Sequence, residues 1–104
     1  MIDINNLRIY CEQEKVIITL HAQERLRQRG IRAKDVRNCI MTGEIIEQYP
    51  DDFPFPSCLI FGYSTNEKIL HVVASDEGTG SRIITAYFPD TTKFESDLKT
   101  RKEK

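Results

Sequence analysis

The stretch CLIFGYS-TNEK-ILHVVAS-DEGTG-S-RIITAYF, residues Cys58 to Phe88, decides the fold. It holds three runs of about seven residues rich in β-branched, aliphatic and aromatic side chains, which is the pattern of strands. Thr65–Lys68 and Asp76–Gly80 separate them and are turn-forming. Such short connections join neighbouring antiparallel strands, because a parallel crossover needs a dozen residues or more. Pro89 stops the third run.

Upstream, the seven residues PDDFPFP (Pro50–Pro56) carry three of the four prolines and read as a loop, with Phe53 and Phe55 expected to anchor it. Before it, Glu44–Tyr49 reads as a fourth strand. Further back, apolar spacing changes from two residues to three and four, so helices are expected. Ala33–Thr42 is one helix, with Ile31 and Val36 suited to a hydrophobic staple around a start at Arg32 and Gly43 to its end. TLHAQERLRQRGI (Thr19–Ile31) is another, with Thr19 as its cap and Gly30 past its last turn. The two form a helical hairpin. Val16–Leu20 is a short strand or extended lead-in. Within Met1–Lys15, Ile4, Leu7 and Cys11 fall on one helical face, Asp3 suits the cap, and Arg8 and Glu12 suit an (i, i+4) pair. The expected architecture is α+β: N-terminal helices on one face of an antiparallel sheet of about four strands, the other face open.

Length bounds the chain to one domain over residues 1–104, with a polar tail at 91–104 frayed at its tip. Hydrophobic residues make up 39% and charged residues 30%, the balance of a globular protein without a membrane span. The N-terminus lacks a signal-peptide pattern, so a cytoplasmic protein is expected. Cys11, Cys39 and Cys58 are odd in number and widely spaced, and read as small core residues. With only two histidines, far apart, no metal site and no cofactor are expected. Net charge is −1, but His21–Arg37 holds six Lys/Arg against two acids, and Glu44–Asp52 holds four acids and no base. A local basic patch can hold a polyanion even on a near-neutral protein.

Candidate chemistry follows from side-chain direction. His21, Arg25 and Arg29 lie four apart and line one stripe of the helix, while Ala22 and Leu26 point elsewhere. Along the last strand, alternation puts Ile84, Ala86 and Phe88 towards the core and Thr85 and Tyr87 on the opposite face with Ile83. In the strand before, Leu70, Val72 and Ala74 face the core and His71 faces outward. Imidazole, guanidinium, hydroxyl and phenol groups without a carboxylate pair suit metal-independent RNA cleavage. There a base takes the 2′-hydroxyl proton and cations hold the charge on phosphorus. They do not suit glycoside hydrolysis, which uses paired carboxylates. Arg27, Arg32, Lys34 and Arg37 read as ordinary surface charge.

The string ITLHAQERLRQRGIRAKDV, followed by GEIIEQY, LHVVA and RIITAY, resembles the domain of unknown function numbered 4258, over about Val16 to Asp90. That family is grouped with the RelE-like or barnase-like fold of toxin ribonucleases. The resemblance implies His21, Arg25 and Arg29 as signature positions and Thr85 and Tyr87 at the polar end of the last strand. It implies RNA as partner, including ribosome-bound mRNA, and an antitoxin protein. A non-catalytic adaptor using the open sheet face is the competing reading.

Overall fold

Leu70, Val72 and Ala74 alternate along the central strand, and their burial on one side sets the layers of the molecule. The computed structural model describes residues 1–103. Its elements in chain order are α1 (Ile4–Glu12), β1 (Val16–Ile18), α2 (Leu20–Gln28), α3 (Ala33–Thr42), β2 (Glu44–Tyr49), β3 (Ser57–Tyr63), β4 (Ile69–Ser75) and β5 (Ser81–Tyr87). The strands form one sheet in the order β1-β5-β4-β3-β2. β2 to β5 are the expected antiparallel meander. The expected antiparallel sheet of about four strands is roughly right. β1 joins as a fifth strand, parallel to β5, so the sheet is mixed. Three residues of β-branched sequence do not distinguish a strand from a lead-in. What makes β1 a strand is its distant partner, with Ser81 N–H donating to Lys15 O at 3.0 Å.

The helices cover one sheet face. Leu7, Cys11, Leu26, Ile31, Val36, Cys39 and Ile40 meet Ile60, Leu70, Val72, Ile83 and Ala86 in the core. All three cysteines are free and buried. α3 lies so close to β3 that a Cβ on Gly62 would collide with the Cys39 carbonyl. Its start is built by Ile31 and Val36, both buried, and by Asp35, whose carboxylate accepts from Arg32 N–H at 2.9 Å. Asp3 and Thr19 cap α1 and α2 as expected, and Gly30 turns the chain after α2 at φ 72°. Two basic residues act otherwise than expected. Arg8 reaches Ile40 O and Gly43 O instead of Glu12, and Arg37, expected to be plain surface charge, donates to Cys11 O at 2.8 Å. Both satisfy carbonyls at helix ends.

Three further expectations are corrected. In β5 the pairing steps from Ile83 opposite Ala74 to Thr85 opposite Val73, so Ile84 is an extra residue. The bulge breaks the alternation: Ile83 and Ala86 enter the core, while Ile84 (48% exposed) and Phe88 (38%) stay outside. Thr85 and Tyr87, beyond the bulge, keep their place away from the helices. In the loop, Phe53 is 95% exposed and anchors nothing, and Phe55 is only partly covered. Finally, the second sheet face is not open throughout, and residues 93–102 of the tail are ordered against it. Residues 93–102 fold back as a hairpin, with Phe94 bridged to Arg101, Lys102 N–H on Lys93 O and Glu95 N–H on Thr100 O. Phe94, the aromatic in that polar stretch, is 2% exposed and lies against the sheet. The expected fraying extends to residue 104, which lies outside the described residues.

Candidate functional site

α2 buries Ala22 and Leu26, which turns the stripe of His21, Arg25 and Arg29 away from the core. The helix ends at Arg29, beside the end of β5. There Arg29 Nη1 donates to Thr85 Oγ1 at 3.1 Å and to Ala86 O at 2.8 Å. Arg29 and Tyr87 then line one cleft of about 390 Å³, whose other wall is Asp90, Lys93, Phe94 and Arg101. The structure thus brings together Arg29, Thr85 and Tyr87. It does not bring His21 or Arg25 to the same cleft. At 1.5 Å per residue they stand roughly 12 Å and 6 Å back along the helix, and both are exposed.

His71 lies behind Tyr87 and is fully buried. It pairs with Tyr87 across the β4–β5 ladder, in a register set by the bulge at Ile84. Its Nε2 is 2.7 Å from Leu98 O, and its Nδ1 is 3.4 Å from the Tyr87 hydroxyl. A carbonyl can only accept, so neutral His71 carries its proton on Nε2. Nδ1 is then a lone pair facing Tyr87, whose hydroxyl donates to it. Burial pulls the His71 pKa below the ordinary histidine value, partly opposed by the Leu98 hydrogen bond and the Glu47 charge. Burial likewise raises Tyr87. Phe94 stands edge-on to the imidazole, with ring centres 4.7 Å apart.

The composition-level reading did not identify Glu47, Tyr49, Lys93, Phe94 and Arg101. Glu47 accepts from Arg101 Nε at 3.1 Å and Nη2 at 3.0 Å, and from the Tyr49 hydroxyl. The Arg101 hydrogen bond holds the Glu47 carboxyl below the usual carboxylate range and raises Arg101 in turn. Lys99 pairs with Glu44 at 3.2 Å. The sequence carried one signal for this: an acid-only run at 44–52 and cations in the tail. Neither contact could be assigned across a separation of more than fifty residues. Burial pushes Cys39 and Cys58 up to about 12, so neither is a ready thiolate nucleophile. Among the described residues no three His, Cys, Asp or Glu side chains gather in a metal-holding group, and no helix is long and apolar enough to cross a membrane.

No curated protein and no solved structure matches the chain. A family model does, over residues 18–88, more than half of the sequence. The match takes in α2, its stripe, His71, Thr85 and Tyr87, and stops before Lys93, Phe94 and Arg101. With a match of that extent running from the end of β1 through β5, the chain belongs to the family described as Domain of unknown function (DUF4258).

Proposed function

We propose that the protein is a metal-independent RNA endonuclease of the RelE-like or barnase-like type, acting as the toxin of a toxin–antitoxin pair. The observation that carries this reading is the convergence of Arg29, held from the end of α2 by Thr85, with Tyr87 on a cleft backed by His71. In the reaction the 2′-oxygen attacks phosphorus and the bond to the 5′-oxygen breaks. Tyr87 takes the 2′-hydroxyl proton and passes its own to His71 Nδ1. The 5′-oxygen leaves with a proton from water, and the hydroxide so formed takes back the proton held on His71 by way of Tyr87. Arg29 stabilises the charge gathered on the phosphoryl oxygens. The products are a 2′,3′-cyclic phosphate and a 5′-hydroxyl. The geometry favours His71 and Tyr87 over His21 for proton transfer. His21 and Arg25 extend the interface, meeting the strand beyond the scissile phosphate. RNA, including ribosome-bound mRNA, is the substrate, and an antitoxin protein is the natural inhibitor.

A second reading is a non-catalytic adaptor that binds RNA or protein through this face. The complete burial of His71 favours it. One experiment separates the two: partner-free protein is incubated with single-stranded RNA in the presence of a chelator, with and without ribosomes. Cleavage under either condition supports the nuclease. Binding without cleavage under both supports the adaptor and removes the nuclease.

A further inference from the structure

We propose that the C-terminal hairpin 93–102 is the second wall of the RNA site, supplying Arg101 and Lys93 as phosphate-binding groups, with Glu47 as the residue that positions Arg101. The proposal rests on the RNA reading above and names residues outside the family match.

The hairpin is fastened rather than loosely draped. Phe94 is buried edge-on against His71, and Lys99 lies 4.7 Å from the Phe61 ring centre while pairing with Glu44. His71 Nε2 holds the Leu98 carbonyl. Arg101 is fixed on two sides: its guanidinium carbon lies 4.8 Å over the Phe94 ring, and Glu47 takes Nε and Nη2. Tyr49 in turn holds Glu47. This leaves Arg101 Nη1 free of the carboxylate fork. On the opposite wall Arg29 spends only Nη1 on β5, leaving Nε and Nη2. Two oriented guanidinium groups and the Lys93 ammonium therefore border one cleft, against Asp90 at its rim and Glu47 behind Arg101. A phosphodiester is the ligand that matches fixed forks on two sides. A partly exposed ion pair such as Arg101–Glu47 adds little to stability, so its main consequence is the orientation of the guanidinium.

The test uses the full chain and a 2′-O-methyl oligoribonucleotide, which binds but has no 2′-hydroxyl to attack. Its affinity is followed against salt concentration, alongside cleavage of the matching RNA. Arg101→Ala is expected to flatten the slope of log affinity against log salt by roughly 0.7, the value of one phosphate contact on a single strand. Arg101→Lys restores that slope. Glu47→Gln gives opposite signs for two ideas. Loss of orientation weakens binding, whereas mere removal of a negative charge strengthens it, and stronger binding overturns the positioning role. Phe94→Ala loosens the hairpin. A wall then gives slower cleavage, and faster cleavage overturns the wall in favour of a lid. Thermal melts check that each variant folds, and the Arg101 and Glu47 variants decide the matter if Phe94→Ala does not fold. If wild type binds the methylated strand as stated but cuts no RNA, the wall stands and the nuclease reading falls. If it cuts RNA and Arg101→Ala changes neither slope nor kcat/KM, the wall falls and the nuclease reading stands. If wild type neither binds nor cuts, both fall, and cleavage of RNA without binding of the methylated strand overturns the wall alone.

Discussion

His71 is a titratable side chain buried where its neutral form is favoured, so it ties pH to stability and to chemistry at once. Its pKa is lower in the folded chain than the reference value of about 6.5, mainly by burial. The unfolded chain therefore binds more protons near and below that pH, and stability must fall as pH falls. The contribution is complete above about pH 6.5 and is lost as the pH drops through the depressed folded value. Thermal melts between neutral pH and pH 5 are expected to show a falling Tm, with a flatter dependence in His71→Gln. A wild-type Tm that rises on acidification would remove the buried neutral imidazole from consideration. Arg29 is the second residue with two consequences. Arg29→Ala loses the hydrogen bonds to Thr85 and Ala86, costing about 1 kcal/mol, and under the proposed function it is expected to weaken RNA binding as well. Chemical denaturation and the oligonucleotide titration read the two effects separately. His71 and Tyr87 could be placed on adjacent strands of the meander from sequence, but not paired, because their register depends on the extra residue Ile84. The seal over His71 could not, because Phe94 and Leu98 arrive from a segment whose composition is that of a solvated tail.

At the scale of elements, α3 depends on one buried carboxylate. Asp35 accepts from Arg32 N–H at the helix start and from both Thr65 N–H, at 2.9 Å, and Thr65 Oγ1, at 2.6 Å, in the β3–β4 turn. Burial alone would raise its pKa, but the hydrogen bonds from Thr65 and Arg32 outweigh burial and hold it below the ordinary value. Asp35→Ala removes the cap and strands buried donors, so a loss of about 2–3 kcal/mol is expected in urea denaturation. A loss below about 0.5 kcal/mol, the range of ordinary surface substitutions, would mean the turn does not rely on this link. Elements themselves were largely legible: α3 begins and ends at the residues its staple and Gly43 indicated, and α2 at its threonine cap. The bulge at Ile84 was not legible. Ile83 and Ile84 are equally good strand formers, and only pairing with β4 decides which of them enters the core. The same limit applies to β1, where partner choice rather than propensity makes the strand.

At the scale of the molecule, the two halves of the charge pattern have different fates. The acids of β2, Glu44 and Glu47, are answered within the chain by Lys99 and Arg101. The basic helical stripe is directed outward and leads to the cleft. An overall charge of −1 therefore hides one internally compensated region and one basic region turned to the surface. The α+β architecture, with helices on one face of the sheet, follows from the order of periodicities along the chain. The tail's return across the second face does not, since it rests on a single aromatic and long-range ion pairs. The central claim is that Tyr87 and His71 act as one proton relay in cutting RNA. It is tested most directly by measuring kcat for cleavage by wild type, Tyr87→Phe, His71→Gln and the double variant. The relay predicts that each single change costs roughly 100-fold or more and that the double costs no more than either, since the groups act as a unit. Full activity in both single variants would contradict it.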